Sequence, residues 1–230
     1  RLAQAGYFGL IHHLDDQLYW LVQSFIERSG RRQRPWMIVV TSDHGEMLGD
    51  HGYFRKCEPY EGSAHIPLLI RGSSGLGFAS GLTHDGPVCL EDLLPTLLDA
   101  AGLPPPAGID GMSLVPLLRG ETTAPVRPFL HAEHAPCYGA QQAFHSLTDG
   151  IWKYIWRPHD GSEQLFNLAA DPRETADLAP RPEHGVQCRR WRREMVRLLA
   201  KRPEGFSDGH RLIAGRPYPP LMARNPEARA

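Results

Sequence analysis

The sequence predicts an α/β fold in two parts: a mixed α/β sandwich core, then a small antiparallel sheet with a packed terminal helix. Three observations predict it. A helical stripe of apolar residues leads into the compact apolar run Met37-Ile38-Val39-Val40. Beyond residue 125, short strand-like runs are separated by Asp-Gly turns. Near the end, Trp191, Met195, Leu198 and Leu199 recur at helical spacing. Composition permits this fold, since 41% hydrophobic and 22% charged residues are globular proportions. Twenty-five Lys+Arg against 26 Asp+Glu leave a formal charge of -1, which excludes a generic electrostatic nucleic-acid binder. The apolar runs are far shorter than the roughly 20 residues of a membrane span.

Each element has its own signal. Tyr7, Leu10, Leu14, Leu18, Leu21 and Phe25 form the first stripe, which Gly30 and the basic loop 31–34 end. The run 37–40 reads as a buried strand, expected to be parallel because a helix precedes it. Residues 66–70 read as a second strand, with Pro67 near its start. Residues 91–101 read as a helix with Leu94, Leu97, Leu98 and Ala101 on one face, stopped by Gly102 and the prolines at 104–106. Residues 129–132, 151–156 and 164–168 read as strands of the small sheet, and the aromatic rings at 152, 154 and 156 share one strand face. These boundaries divide the chain into a core portion at 1–125, a small α+β subdomain at 126–202 and an extended Pro/Gly/Arg-rich tail at 203–230. Such a tail suits wrapping a neighbouring subunit in a homo-oligomer. The first helix and both core strands are expected to need partners that the chain does not contain.

Chemistry concentrates between Thr41 and Gly52. Asp43 and His44 follow a strand, where open α/β sheets place ligand sites, and Gly45 lets the backbone turn so that both can converge. A carboxylate beside an imidazole suits a divalent cation, but two ligands do not choose among calcium, magnesium, manganese and zinc. A polar turn that merely contains histidine is the alternative. Asp50-His51-Gly52 repeats the triplet seven residues on. His51 is a candidate substrate contact or ligand, though a loop-stabilising hydrogen bond is its simpler use. Cys57, Cys89, Cys137 and Cys188 form no C-x-x-C pair and are expected to be free thiols.

The segment VTSDHGEMLGDHG, then KCEPYEGS and HIPLLIRG, resembles the metal and anion loop of the sulfatase family in the alkaline phosphatase superfamily. Lys56 stands four residues before Tyr60-Glu61-Gly62, as in that family's pattern. Residues 7–21, LEDLLPTLLDAAGLPPP with IDGMSLVPLLRG, and EQLFNLAADPRETADLA resemble further family segments in the same order. The resemblance implies the C-terminal part of a sulfatase-type α/β sandwich, an arylsulfatase-like sulfuric ester hydrolase. Asp43 and His44 would bind the metal, calcium in most sulfatases, with manganese, magnesium or zinc as alternatives. Lys56 would contact the sulfate and the bridging ester oxygen, where a compact ammonium opposes developing negative charge. The substrate would be a small-molecule or glycan sulfate ester.

Sulfatases use a formylglycine made from a Cys-x-Pro-x-Arg type motif, and its hydrate attacks sulfur. Cys57-Glu58-Pro59-Tyr60-Glu61 lacks the arginine and overlaps the lysine segment, so it is rejected as nucleophile. The resemblance therefore implies that formylglycine comes from sequence upstream, and that this chain alone is inactive. A phosphonate monoester hydrolase or phosphodiesterase of the same superfamily is the rival enzyme, and a non-catalytic sulfatase-fold module the rival of another class.

Three further groups have structural readings. His131, Glu133 and His134 read as a solvated strand end, with a pocket lip as the alternative. Arg189, Arg190, Arg192, Arg193 and Arg197 read as the wet side of the terminal helix. Glu46 and Glu61 read as loop-stabilising acceptors.

Overall fold

The structure is a computed structural model, and it describes residues 1–136 and 139–218. In chain order its elements are α1 (Leu2–Arg31), β1 (Met37–Thr41), α2 (Glu61–Ala64), β2 (Leu68–Gly72), α3 (Leu93–Ala100), α4 (Val115–Leu118), β3 (Leu130–His134), β4 (Phe144–Thr148), β5 (Trp152–Trp156), β6 (Glu163–Asn167) and α5 (Gly185–Leu199). They fall into two compact units, 1–44 with 66–126, and 45–65 with 127–230. The loop at 45–65, expected within the first portion, thus belongs to the second unit. Later in the chain the units divide between Val126 and Arg127.

In the first unit α1 covers the predicted stripe, yet none of its residues is buried. Phe8, Leu10, Leu14, Trp20 and Leu21 are all exposed. Strand β1 pairs with β2 in antiparallel register, Val39 opposite Ile70 and Thr41 opposite Leu68. This corrects the expected parallel pairing. A preceding helix fixes direction only when it crosses over from another strand of the same sheet, and among the described residues β1 pairs only with β2. Strand β1 is half-buried throughout, whereas its apolar run suggested full burial. Strand β2 starts immediately after Pro67, so the missing proline N–H removes no ladder bond from the strand itself.

Helix α3 corrects a second expectation. Leu94 and Leu97 on the predicted apolar face are exposed, while Pro95 and Thr96 are buried. The buried side is polar because it holds the following segment by hydrogen bonds. Asp92 accepts from the Cys89 amide at 2.9 Å and the Met112 amide at 2.8 Å. The Thr96 hydroxyl accepts from the Leu114 amide at 2.9 Å. Gly111 permits that docking, since a Cβ there would lie 1.9 Å from the Glu91 carbonyl oxygen. Hydrophobic periodicity cannot see a face chosen by hydrogen bonds.

The second unit is an antiparallel sheet in the order β3-β4-β5-β6. Strand β4 was absent from the sequence reading, because Phe144-His145-Ser146-Leu147-Thr148 carries a histidine and a serine where alternation calls for clear apolar positions. All but Thr148 of its residues are buried. Tyr154 and Trp156 pack with Leu147, Leu165, Cys188, Trp191, Met195, Leu199 and Phe206, and Trp152 lies against the same cluster. The aromatic face therefore packs on α5, as its alternation predicts. Arg189, Arg190, Arg193 and Arg197 are exposed. Arg192 is the exception: its guanidinium grips Glu163, which also accepts from the Tyr154 hydroxyl. Residues 203–218 do not extend as expected. Phe206 is fully buried and Ser207 bridges to Leu212, which turns the chain back onto the sheet. Residues 219–230 of the expected subunit-wrapping tail, and Cys137, lie outside the described residues. No helix among the described residues is long and apolar enough to cross a membrane.

Candidate functional site

Strand β1 ends at Thr41 and delivers Ser42, Asp43 and His44 at its carboxyl end. The Ser42 hydroxyl donates to the His44 carbonyl at 2.7 Å, and the His44 amide donates to Asp43 Oδ1 at 3.0 Å. These bonds fold the two side chains together, leaving His44 Nε2 3.4 Å from Asp43 Oδ2. The Asp43 side chain is 83% exposed, so its carboxylate is open to a ligand. Desolvation works to raise the Asp43 carboxyl, but the His44 imidazole, two backbone amides and the Ser42 hydroxyl together hold it below its ordinary value.

The loop 45–65 belongs to the second unit and is held from several sides. Gly45 is required there for close approach: a Cβ would lie 2.2 Å from the Gly62 carbonyl oxygen, and the Gly45 amide donates to the Ser63 carbonyl at 2.8 Å. Its φ is not positive, so the role differs from the turn freedom expected of it. Glu46 accepts from the Leu48 amide at 3.2 Å and from the Arg55 amide, as a loop-stabilising acceptor should. Asp50–Gly52 forms a 3-10 turn, entered through Gly49 at φ 98°. His51 stacks on Tyr60 at 4.0 Å, and its Nε2 lies 3.2 Å from the Arg173 carbonyl oxygen. Both contacts hold the loop.

Lys56 is exposed and has no hydrogen-bond or ion-pair partner among the described residues. Its neighbours Arg55 and Cys57 both sit at φ 74°, a left-handed conformation that non-glycine residues rarely adopt. The loop thus presents its one lysine on a sharply kinked backbone.

Beneath this loop lies a group that the sequence reading missed. Lys153 on β5 is buried, and its ammonium contacts Glu61 Oε1 at 2.5 Å, Glu174 Oε1 at 2.8 Å and the Pro59 carbonyl at 3.0 Å. Glu174 closes the circuit by accepting from the Glu61 amide at 2.6 Å. Burial would raise the Glu61 carboxyl, but His65 and Lys153 outweigh it and pull it down to about 2. The available signal was Lys153 itself, a charged residue on the strand face opposite the packed aromatics Trp152 and Tyr154. A cleft of about 120 Å³ beside this network is lined by Met47, His51, Tyr60, Glu61, Arg173 and Glu174. It is well below the roughly 300 Å³ of a small-molecule pocket, so it is a gap in packing.

His131, Glu133 and His134 correct the expected solvated strand end. His134 faces away, stacked on Phe144 at 6.0 Å. His131 and Glu133 face His145, which is fully buried. His131 Nε2 is 3.1 Å from His145 Nδ1, and Glu133 Oε2 is 3.3 Å from the same nitrogen. Burial and His145 push the His131 imidazole down to about 4. The hydrogen bond from His145, with help from Arg202, holds the Glu133 carboxyl at about 2 against its burial.

Comparison with known proteins covers most of the chain. An arylsulfatase of Clostridium perfringens is 34% identical over 220 residues, 95% of this chain and 44% of that protein. A protein solved with its substrate D-glucosamine-2-N,6-O-disulfate superposes with a TM-score of 0.64 at 29% identity, over 72% of this chain and 34% of that one. The phosphonate monoester hydrolase of Agrobacterium radiobacter gives 0.61 at 28% identity, over 72% of this chain and 35% of that one. The chain spans less than half the length of these relatives. Residues 49–201 match the family described as N-sulphoglucosamine sulphohydrolase, C-terminal. The chain belongs to the sulfatase family and carries that family's C-terminal region.

Proposed function

We propose that this chain is the metal- and anion-binding part of an arylsulfatase-like sulfuric ester hydrolase. The observation that carries the reading is the convergence of Asp43 and His44 at the end of β1, with an open carboxylate 3.4 Å from an imidazole nitrogen. An oxygen and a nitrogen donor on one exposed turn fit a divalent cation, calcium by family resemblance. When bound, that ion supplies electrostatic stabilisation of negative charge on the ester oxygens. Asp43 and His44 would hold it. Lys56 brings an ammonium to the anionic substrate and favours charge building on the leaving oxygen. The network of Lys153, Glu61 and Glu174 fixes the backbone from Pro59 to Glu61, three residues beyond Lys56. The nucleophile, a formylglycine, would come from sequence outside this chain. A small-molecule or glycan sulfate ester is the proposed substrate class.

The likeness to a phosphonate monoester hydrolase favours one second reading, phosphonate ester hydrolysis by the same residues. Turnover of an aryl sulfate and of a phosphonate monoester with the same leaving group, by the longer protein, separates the two. Sulfate is expected to give the larger kcat/KM. A larger value for the phosphonate sinks the sulfatase assignment.

A further inference from the structure

We propose that His131, Glu133 and His145 form a binding site for a zinc-class divalent transition ion that staples β3 to β4. Their ligand atoms all lie within 4.8 Å of one another. The two distances that meet at His145 Nδ1 match what such an ion imposes. With bonds near 2.0–2.1 Å in tetrahedral geometry, ligand atoms stand about 3.3 Å apart and two imidazole centroids about 5 Å apart. Here the nitrogens are 3.1 Å apart, the carboxylate oxygen is 3.3 Å from His145 Nδ1, and the ring centroids are 5.3 Å apart.

Hydrogen bonding alone serves these atoms poorly. His145 Nδ1 faces a carboxylate oxygen and a second ring nitrogen at once. A hydrogen on Nδ1 must be shared between two acceptors. If His131 carries the hydrogen instead, the Nδ1 lone pair faces the Glu133 oxygen. An ion satisfies all three lone pairs together. Two imidazoles and one carboxylate select a zinc-class metal over calcium, which takes six to eight oxygens.

Glu133 has the outer contacts that a ligating carboxylate uses. Glu133 Oε1 accepts from both terminal nitrogens of Arg202, at 3.1 and 3.2 Å. Such outer partners orient a ligating carboxylate. The same guanidinium also lies 3.1 Å from Oε2 and its charge opposes a cation, but Glu204 pairs with Arg202 at 2.8 Å and offsets it. His145 is walled by Trp156, Phe206 and Tyr218, with ring centroids 5.5 to 5.9 Å away. An ion here would lie in a mostly dry, aromatic setting, where three protein ligands suit a structural role with one position left open.

The test uses the longer protein carrying Asp43→Asn and His44→Ala, stripped with chelator and titrated with cobalt(II) alone. About one equivalent is expected to bind with the intense visible absorption of a tetrahedral site, and to raise the unfolding temperature. Adding His131→Ala, or the shape-preserving Glu133→Gln, is expected to weaken binding at least about tenfold. His134→Ala, on the opposite face of β3, is expected to leave it unchanged. Absence of cobalt binding in the starting variant overturns the site. So does binding that neither His131→Ala nor Glu133→Gln weakens.

Discussion

Replacing Lys153 by methionine is expected to destabilise the second unit by about 3–5 kcal/mol, the usual cost of removing one partner from a buried ion pair. The lysine side chain is 3% exposed and the Glu174 side chain 1% exposed, so methionine strands one carboxylate with no access to water. Glu61 loses its second cation, and the Pro59 carbonyl loses its donor. The loss should fall in unfolding temperature of the longer protein, read by calorimetry. Adding Glu174→Gln and Glu61→Gln to Lys153→Met is expected to return part of it, because neutral amides tolerate burial better than unpaired charges. A Lys153→Met protein within about 1 kcal/mol of the parent contradicts the buried-clamp reading.

The pH dependence of the same experiment has a defined sign. The folded Glu61 carboxyl titrates at about 2 against an ordinary 4.5, so its contribution is present above 4.5 and fades as pH falls toward 2. His65 works in the other direction. Its hydrogen bond to Glu61 raises it from 6.5, so its share is full below that value and is lost as pH rises through the raised one. Lys153→Met should therefore weaken the acid limb and, because the Lys153 charge opposes protonation of His65, move the His65 limb to higher pH.

Lys56→Ala in the longer protein is expected to lower kcat for an aryl sulfate by about 10²–10³, the range for removing one donor aimed at developing charge. The lysine is exposed and unpartnered among the described residues, so unfolding temperature should stay unchanged. That separates it from Lys153, whose loss is first a loss of stability. Arginine at position 56 should restore only part of the rate, since a planar fork does not reproduce a compact ammonium. Turnover by Lys56→Ala within threefold of the parent removes Lys56 from the proposed chemistry.

Much of the fold was legible because it rests on local periodicity. The stripe of α1, the alternating aromatics of β5 and the 3.6-residue spacing of α5 all declare themselves in sequence. Two of the failures share a cause, which is polar atoms placed by partners elsewhere in the chain. Strand β4 hid because His145 and Ser146 occupy buried positions. The buried side of α3 was misread because Asp92 and Thr96, not leucines, hold the segment at 112–114. The direction of β1 could not be read from its own residues at all. Of the residues proposed for catalysis, Asp43, His44 and Lys56 come from one short contiguous motif. Lys153 and Glu174 were not legible, since 94 and 113 residues separate them from the loop atoms they bind.

The most direct measurement compares turnover of one aryl sulfate by residues 1–230 and by the longer protein, with folding of the shorter chain checked first by near-ultraviolet circular dichroism of its aromatic core. Turnover is expected only in the longer protein, and its loss is expected on Asp43→Asn. Turnover by residues 1–230 alone, abolished by Lys56→Ala or Asp43→Ala, would contradict a nucleophile supplied from outside the chain.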